Sequence, residues 1–319
     1  MLNQLFERRL IVVLGKGGVG KSTTSAALAT CAARQGIRTL LMETDSRAPV
    51  ATALGVEPSF EPVPVRAGFS TMVLEGGHAL DEYLALVLPG GAVLRAVFAS
   101  RLYQFFVQAA PGLRELMMLG KVCYEVSPKD RRARWGLVVV DAPASGQALS
   151  LLKMPTAARA TFGTSIVGQE ADNIERTLHN RKLCAIVEVT TPETLAVWEL
   201  LETQKALVAM DFPPAAIFLN RAATTDFSAG DVMQFARRAA EATHRLRHLE
   251  QLTEAARAQL ARAAQTPKAH TKLARLSRAS IIEIPDLPDR TAETLVTHLA
   301  SFLASRLNSG GVRHDAAKG

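Results

Sequence analysis

Residues 15–23 read GKGGVGKST and directly follow the apolar run LIVVL. Gly15, Gly20, Lys21 and Ser22 stand at the fixed places of the spacing G-x-x-x-x-G-K-[ST]. Glycines here let the backbone turn sharply and bring its N–H groups against phosphate oxygens. A loop of this kind between a strand and a helix binds the phosphates of a nucleotide. The sequence therefore predicts a site for ATP and Mg²⁺.

Individual side chains of this loop have predicted roles. Lys21 is expected to reach the β- and γ-phosphates, and Ser22 is expected to bind Mg²⁺. Asp141 ends the apolar run LVVVD, where a carboxylate can hold the same ion, directly or through water. Lys16 precedes the phosphate cradle, so it could point across a subunit interface, and a solvated surface lysine is the alternative. The predicted nucleotide contacts in the loop are Gly15, Gly17, Gly18, Val19, Gly20, Lys21, Ser22 and Thr23.

Apolar runs that favour strands recur along the chain, with helical segments between them. They begin at Leu10, Thr39, Thr71, Gly136, Cys184, Ala215 and Ser280. The runs are continuously apolar, which indicates strands that are covered on both faces, as in a parallel sheet. We therefore predict a doubly wound α/β fold of the P-loop NTPase type. Ligands of such folds bind at the carboxyl ends of the strands.

The length of 319 residues fits a single ATPase domain over 1–319 that contains a helical insertion. The insertion is predicted over 78–126, a stretch rich in Leu, Val, Phe and Met between the third and fourth strand runs. Residues 55–68 are predicted to be an extended surface loop, and 309–319 a flexible tail. The sequence contains one phosphate loop, so two nucleotide sites would require two chains.

Charge and cysteine content narrow the classes of partner. The formal net charge is +7, and the stretch 226–278 holds ten Lys or Arg against five acidic residues. Because no aromatic residue lies among these cations, the pattern favours a solvated helix face over a nucleic-acid site. Cys31, Cys123 and Cys184 are far apart in sequence, which argues against a disulfide framework or a zinc clamp.

Two features of the sequence bear on its location. It begins without an apolar stretch of signal length, and its longest uncharged apolar run is too short to span a bilayer. We therefore expect a cytoplasmic protein without a transmembrane segment. Peripheral attachment to a membrane stays open.

The loop form KGGVGKS, with Lys16 directly after the first glycine, resembles the deviant Walker A loop of a group of dimeric ATPases. That group includes the nitrogenase iron protein, the ParA and MinD partition proteins, and the ArsA and tail-anchored-protein-targeting (Get-type) ATPases. Its additional lysine crosses a face-to-face dimer and contacts the partner's ATP. The resemblance therefore implies a homodimer, or a dimer with a paralogue, in which hydrolysis depends on Lys16.

Two later segments are similar to the ArsA and Get-type branch, in its bacterial single-domain form. Asp45, in METDSRAPV, matches the first-switch aspartate that positions the attacking water, although Ser46–Ala48 departs from that branch's Pro-Ala-His. Asp141, in DAPASGQ, matches the start of the second switch, with Gln147 where a histidine is usual. Gln147 keeps hydrogen bonding but lacks a titratable ring. The resemblance implies that Asp45 acts in catalysis beside the two loop lysines.

Adenine contacts are predicted from the last third of the chain. Asn220 follows the apolar run AIFL, and its side-chain amide can pair with a donor and an acceptor on the adenine edge. In the same branch, the loop that corresponds to PDLPDR closes over the adenine. The resemblance therefore implies adenine contacts from Pro285, Asp286 and Leu287.

The helical stretch between the two switch aspartates is expected to move with them. Apolar side chains recur along it at near-helical spacing, namely Phe98, Leu102, Phe105, Phe106, Leu116, Met117 and Met118. In the ArsA and Get-type branch, the equivalent region supplies a hydrophobic groove for a client's transmembrane helix. Packing of the same side chains against the sheet is the alternative that the residues leave open.

Four functions are compatible with these residues. The first is a homodimeric switch ATPase that binds and releases a hydrophobic helix or a membrane-associated client. The second is the ATPase subunit of an arsenite or anion efflux pump, against which stands the lack of clustered cysteines in the sequence. The others are a ParA- or MinD-like positioning ATPase and a regulatory nucleotide-binding scaffold with little turnover. Retention of Lys16, Lys21, Asp45 and Asp141 favours hydrolysis.

Overall fold

A computed structural model of the chain describes residues 2–87, 100, 112–127, 134–241, 246–287 and 291–309. Its strands are β1 Leu10–Gly15, β2 Thr39–Glu43, β3 Val63–Arg66, β4 Phe69–Val73, β5 Leu137–Asp141, β6 Cys184–Thr190, β7 Ala216–Ala222 and β8 Ser280–Pro285. They form one sheet in the order β3-β4-β2-β5-β1-β6-β7-β8. Every neighbouring pair is parallel except β3 and β4. The predicted α/β fold with a mostly parallel sheet is confirmed.

The described helices lie on both faces of this sheet. They are α1 Leu2–Phe6, α2 Lys21–Arg34, α3 Pro49–Ala53, α4 Gly76–Val87, α5 Leu113–Val126, α6 Ser145–Phe162, α7 Ile166–His179, α8 Thr194–Ala209, α9 Ala229–Glu241, α10 Leu246–Leu276 and α11 Ala292–Ser309. One core lies between the sheet and α1, α2 and α11. A second core lies between the opposite face and α4, α5, α6 and α7.

The two cores explain why β1 is apolar at every position. Successive side chains of a strand point to opposite faces of the sheet. Ile11 and Val13 therefore pack in the core beneath α2, whereas Leu10, Val12 and Leu14 pack in the core beneath α5 and α6. All five side chains are buried because helices cover both sides. The strand thus ends at a fixed place, from which the phosphate loop starts.

One strand was not predicted from the sequence. β3 lies within the segment 55–68 and pairs with β4 in antiparallel fashion at the edge of the sheet. Pro64 is tolerated in this strand because an edge strand has ladder partners on one side only. The prediction of an unpaired surface loop was therefore wrong for Val63–Arg66. Four half-exposed residues that include a proline give no periodic pattern from which a strand could be read.

The predicted helical insertion over 78–126 is described in part. α5 packs against α4, α6, α7 and β5. Leu116 is fully buried in the sheet core, which corrects its assignment to an open groove, because it lies on the face of α5 that covers the sheet. Met117 is also buried, and Met118 is partly buried against the same core. Phe98, Leu102, Phe105 and Phe106 lie outside the described residues, so their groove role stays a prediction.

The length and composition of the described helices bear on whether one of them could span a membrane. Among the helices that the structure describes, none combines the length and the apolar character that crossing a bilayer requires. α11 extends to Ser309, so the predicted tail overlaps the helix at that residue, and the rest of the tail lies outside the described residues.

Candidate active site

The phosphate loop leaves β1 at Gly15 and ends where α2 begins at Lys21. Gly20 caps this helix with a left-handed backbone, at φ 90°, which residues with a side chain rarely adopt. A Cβ atom at Gly20 would also collide with the side-chain nitrogen of Asn220. Conformation and space therefore both require glycine at this position. Residues 16–18 of the loop are exposed, so a nucleotide can reach the loop.

Lys21 and Asp141 form the central ion pair of the site. Asp141 is the last residue of β5 and lies beside Val13 in the register of β1. Lys21 Nζ lies 3.2 Å from Asp141 Oδ1, and Ser25 Oγ donates a hydrogen bond of 3.2 Å to the same oxygen. The Asp141 side chain is only 3% exposed, so its charge needs such partners. The structure thus brings the predicted phosphate lysine to the predicted Mg²⁺ carboxylate.

The oxygen donors at this point suit Mg²⁺. Asp141 supplies a carboxylate, and the half-buried Ser22 supplies a hydroxyl in the first turn of α2. Among the residues that the structure describes, no three His, Cys, Asp or Glu side chains are grouped closely enough to hold a metal by themselves. Mg²⁺ does not need such a cage, because it is usually bound by one or two carboxylates together with water and nucleotide phosphates. The donor set therefore fits Mg²⁺ that arrives with a nucleotide.

Lys16 is bound to a different element from Lys21. Its Nζ atom lies 2.9 Å from Glu199 Oε2 on α8. The two side chains are 46% and 40% exposed, so the pair is solvated and contributes little to stability. In the free chain Lys16 is therefore paired with Glu199 and can leave it at low cost.

Asp45 is held by the arginine that follows it by two positions. Arg47 Nε and a terminal nitrogen donate hydrogen bonds of 3.0 and 2.7 Å to the two carboxylate oxygens, and the Arg47 backbone N–H donates another of 3.0 Å. These bonds lower the pKa of Asp45 below its ordinary value, and the hydrogen bond from the Arg47 side chain is the largest cause. In the sequence, Arg47 is recognisable only as part of the departure from the Pro-Ala-His of the ArsA branch. The structure gives it a contact with the predicted water-positioning carboxylate.

The second switch segment leads from Asp141 into α6. Gln147 is exposed in the first turn of this helix, close in sequence to the buried Ser145. Gly146 is exposed as well, and a Cβ atom there would meet no neighbour within 4 Å. The segment after Asp141 is therefore lightly packed on its outer side.

Two buried carboxyl groups near the phosphate loop were missed by the sequence reading. Glu43 ends β2 beside Asp141, and Glu188 lies on β6 beside Leu14. Glu188 accepts a hydrogen bond of 3.0 Å from Gln204 Nε2, and burial raises its pKa to about 8. An acidic residue in an apolar run is only weak evidence for a buried carboxyl group, since an acidic residue at the end of a strand can also be exposed.

Asn220 contacts the phosphate loop itself. Its Nδ2 atom donates a hydrogen bond of 2.8 Å to the carbonyl oxygen of Val19, and the residue is buried. This contact was not predicted, because the amide was assigned to adenine alone. The side-chain amide nitrogen of Asn220 therefore bonds the phosphate loop directly before Gly20. Adenine recognition by Asn220 stays a prediction.

The predicted adenine loop starts at the end of β8. The Asp286 N–H donates a hydrogen bond of 3.3 Å to the carbonyl of Ala222, which ties this loop to the end of β7. Leu287 is partly buried against the core beneath α2. Pro285, Asp286 and Leu287 thus lie at the same edge of the sheet as Asn220, and residues 288–290 lie outside the described part of the chain.

A phosphate loop between β1 and α2, with a buried carboxylate at the end of β5 paired with the loop lysine, is typical of a P-loop ATPase. The model of the ArsA ATPase family, described as anion-transporting ATPases, matches residues 8–171. ATPase BagA of Mycobacterium tuberculosis is 30% identical over 242 residues, which cover 73% of this chain and 71% of that protein. The chain therefore belongs to the ArsA family and is an ATPase.

Two further relatives are more distant and match less than half of this chain. ATPase ASNA1 homolog 1 of Paramecium tetraurelia is 28% identical over 146 residues, 46% of this chain and 43% of that protein. A putative arsenical pump-driving ATPase of Prosthecochloris vibrioformis is 26% identical over 154 residues, 46% of this chain and 36% of that protein. The family match includes Lys16, Lys21, Asp45 and Asp141 and ends before Asn220.

Proposed function

We propose that the chain works as a homodimeric switch ATPase, which couples hydrolysis of Mg-ATP to the binding and release of a hydrophobic helix or a membrane-associated client. The observation that carries the dimer is the position of Lys16. This lysine is exposed, stands at the start of the phosphate loop, and forms a solvated ion pair with Glu199. A partner subunit's nucleotide can therefore replace Glu199 as its counter-charge at little cost.

Hydrolysis is divided among residues that already lie at one edge of the sheet. Lys21 and the loop N–H groups bind and orient the phosphates, and Ser22 and Asp141 hold Mg²⁺. When bound there, Mg²⁺ would supply positive charge next to the transferred phosphoryl group. Asp45 orients the attacking water after it exchanges its bonds with Arg47 for one with that water. Lys16 adds positive charge from the partner subunit.

The region around α4 and α5 supports a client-binding role. α5 packs on β5, whose last residue is Asp141, so motion of the second switch can reach this helix. A cavity of about 530 Å³, lined in part by Tyr83, Leu86 and Met117, lies beside α4 and α5. Its polar side carries Lys121, which is paired with Glu82 at 2.6 Å. The cavity is thus lined by both apolar and charged side chains.

The ATPase subunit of an anion pump is the second candidate, because the family description and one relative's name both refer to transport. The cysteines do not favour a thiolate site for arsenite. Burial raises the pKa of Cys31 to about 11 and that of Cys184 to about 12, so both thiols stay protonated at neutral pH. Burial also raises the pKa of Cys123, and the nearby Cys184 adds to the effect. Stimulation of ATP hydrolysis by arsenite would favour this candidate.

The test measures ATP turnover and molar mass by light scattering, with and without a transmembrane-helix peptide. For Lys16→Ala we expect ATP binding to persist and turnover to fall at least tenfold. Lys182→Ala changes an exposed lysine on a distant surface and is the matched control. A monomer that hydrolyses ATP independently of Lys16 would reject the dimer. If the protein is a dimer but its turnover does not change with the peptide, the client-binding role is rejected.

A further inference from the structure

Glu43 is a buried acid at a place where the strand pattern calls for an apolar side chain. It ends β2, and its neighbours in the register of the sheet are Asp141 on β5 and Val73 on β4. The residue has no exposed surface. A buried carboxyl group costs free energy unless hydrogen bonds compensate it, so its contacts should reveal why it is there.

Three donors converge on this carboxyl group. Val50 N–H donates a hydrogen bond of 2.7 Å to Oε2, and Ala51 N–H donates one of 2.9 Å to Oε1. Thr71 Oγ1, on β4, donates a third bond of 3.2 Å to Oε1. Val50 and Ala51 belong to the first turn of α3, directly after the segment that carries Asp45. Glu43 therefore joins the end of β2 to the start of α3 across that segment.

This contact replaces an ordinary helix cap. Ala48 stands at the N-cap of α3 with a left-handed backbone, at φ 42°, and its methyl side chain cannot accept a hydrogen bond. The first N–H groups of the helix would lack partners without the Glu43 carboxylate. Ala48 is itself buried against Ala51 and Val73, so the far end of the segment is both packed and hydrogen-bonded.

The near end of the segment is fixed as well. Thr44 N–H and Thr44 Oγ1 donate hydrogen bonds of 3.2 and 2.8 Å to the carbonyl oxygen of Asp141. Residues 44–49 therefore form a loop with two anchored ends. Asp45 lies within it, and its own carbonyl accepts a bond of 2.8 Å from Ala48 N–H. The exposed Asp45–Arg47 pair is the part of the loop that is free to change.

We propose that Glu43 is a positioning residue for Asp45. It anchors the far end of loop 44–49, so that loss of the Asp45–Arg47 bonds turns the Asp45 side chain toward the nucleotide and does not unravel the loop. The inference rests on the proposed role of Asp45 in orienting the attacking water. Glu43 is fully buried, so it acts through the backbone of the loop and not by direct contact with the nucleotide.

The primary test is Glu43→Gln, which keeps the size of the side chain but leaves one of the two N–H donors facing an amide. We expect kcat to fall about tenfold while the affinity for ATP, measured with a fluorescent analogue, changes less than twofold, because the phosphate loop is untouched. Glu125→Gln is the control, since Glu125 is a buried carboxyl on α5 that bonds Trp135 and pairs with Lys121, outside loop 44–49. An equal fall in kcat for the control would overturn the proposal.

A local readout separates positioning from general destabilisation. Arg47 is highly exposed, so trypsin can reach its side chain. Because both ends of loop 44–49 are anchored, the cut after Arg47 requires this loop to open. We expect Glu43→Gln to speed that cut about fivefold while the melting temperature changes no more than in Glu125→Gln. An unchanged rate of cutting after Arg47 would contradict the anchored loop. If Glu43→Gln does not fold, Thr71→Val removes one donor and should shift both readouts in the same direction.

A double variant links the inference to Asp45. If Glu43 acts through Asp45, the turnover of Asp45→Asn/Glu43→Gln should equal that of Asp45→Asn alone. Multiplied losses would show that Glu43 acts by another route and would reject the inference. Full turnover of Asp45→Asn would reject the proposed role of Asp45, whatever Glu43→Gln does. The two failures are therefore distinguishable.

Discussion

Asp141 ends β5 and Asp45 follows the neighbouring strand β2, but the surroundings of the two aspartates are opposite. The pair Lys21–Asp141 is buried, with side chains 14% and 3% exposed. The pair Arg47–Asp45 is solvated, with side chains 87% and 36% exposed. Breaking a buried ion pair by removing one partner costs about 3–5 kcal/mol, whereas an exposed pair is worth about 0–1 kcal/mol.

This difference separates a fixed part of the site from an exchangeable part. Asp141 keeps its place at the end of β5 because it is buried and because β5 is paired with a strand on each side, β2 and β1. Asp45 can leave Arg47 at low cost, since water can solvate both groups. A switch needs such a contrast, because one group must hold the nucleotide while another responds to it.

The largest effect is expected from the fixed aspartate. Asp141→Asn keeps the shape of the side chain but removes the charge that faces Lys21 and Mg²⁺, so kcat should fall on the order of 1000-fold. Steady-state turnover at saturating Mg-ATP measures the loss. Asp211→Asn is the control, because Asp211 is exposed and pairs with Arg181 on another surface. A loss below tenfold for Asp141→Asn would remove the distinction between the two aspartates.

The exchangeable aspartate should give a smaller loss of a different kind. Asp45→Asn should lower kcat about 100-fold, because the amide cannot accept a proton or orient water as a carboxylate does. ATP affinity, measured by calorimetry, should stay within twofold, since the phosphate loop and Lys21 are unchanged. A weaker ATP affinity with normal kcat would place Asp45 in binding and contradict the comparison.

Arg47→Ala tests how tightly the exchangeable aspartate is held. Without Arg47, Asp45 no longer has to leave an ion pair before it orients the attacking water, so kcat should rise. Because an exposed ion pair contributes at most about 1 kcal/mol, the rise should be no more than about fivefold. Arg47 lowers the pKa of Asp45 in the free chain, so without it the acid limb of the pH–kcat/KM profile should move to higher pH. Arg181→Ala, another exposed arginine in an ion pair, should leave the profile in place. A shift to lower pH in Arg47→Ala would show that another group holds Asp45.

Glu188 shows what burial does to a carboxyl group whose described bond comes from a neutral amide. Burial raises its pKa from 4.5 to about 8, so between these values the folded chain binds a proton that the unfolded chain has released. Its contribution to stability is therefore present below about pH 4.5 and falls by about 1.4 kcal/mol for each pH unit up to about 8. Glu188→Gln should lack this fall, so its melting temperature should gain on wild type as pH rises. If the melting temperatures of the two proteins change equally between pH 5 and about 8, this expectation is wrong.

Much of the fold and the centre of the site follow from local sequence. Seven strand runs are recognisable because they are apolar on both faces, and the phosphate loop is recognisable because glycines and Lys21 have fixed spacing. The contacts of Glu43 and Asn220 depend on segments that are distant in sequence. No local pattern shows that the Glu43 carboxylate will meet the N–H groups of α3, or that the Asn220 amide will meet Val19.

The hydrogen bond from Asn220 to Val19 has a consequence for synthesis of the chain. The ribosome completes residues 15–23 early, but the strand next to β1 on one side is β6, and the amide that holds the loop comes only at Asn220. A nascent chain that ends near residue 171 contains every predicted phosphate contact and lacks both supports. Nucleotide capture should therefore begin late in translation, after about two thirds of the chain has emerged.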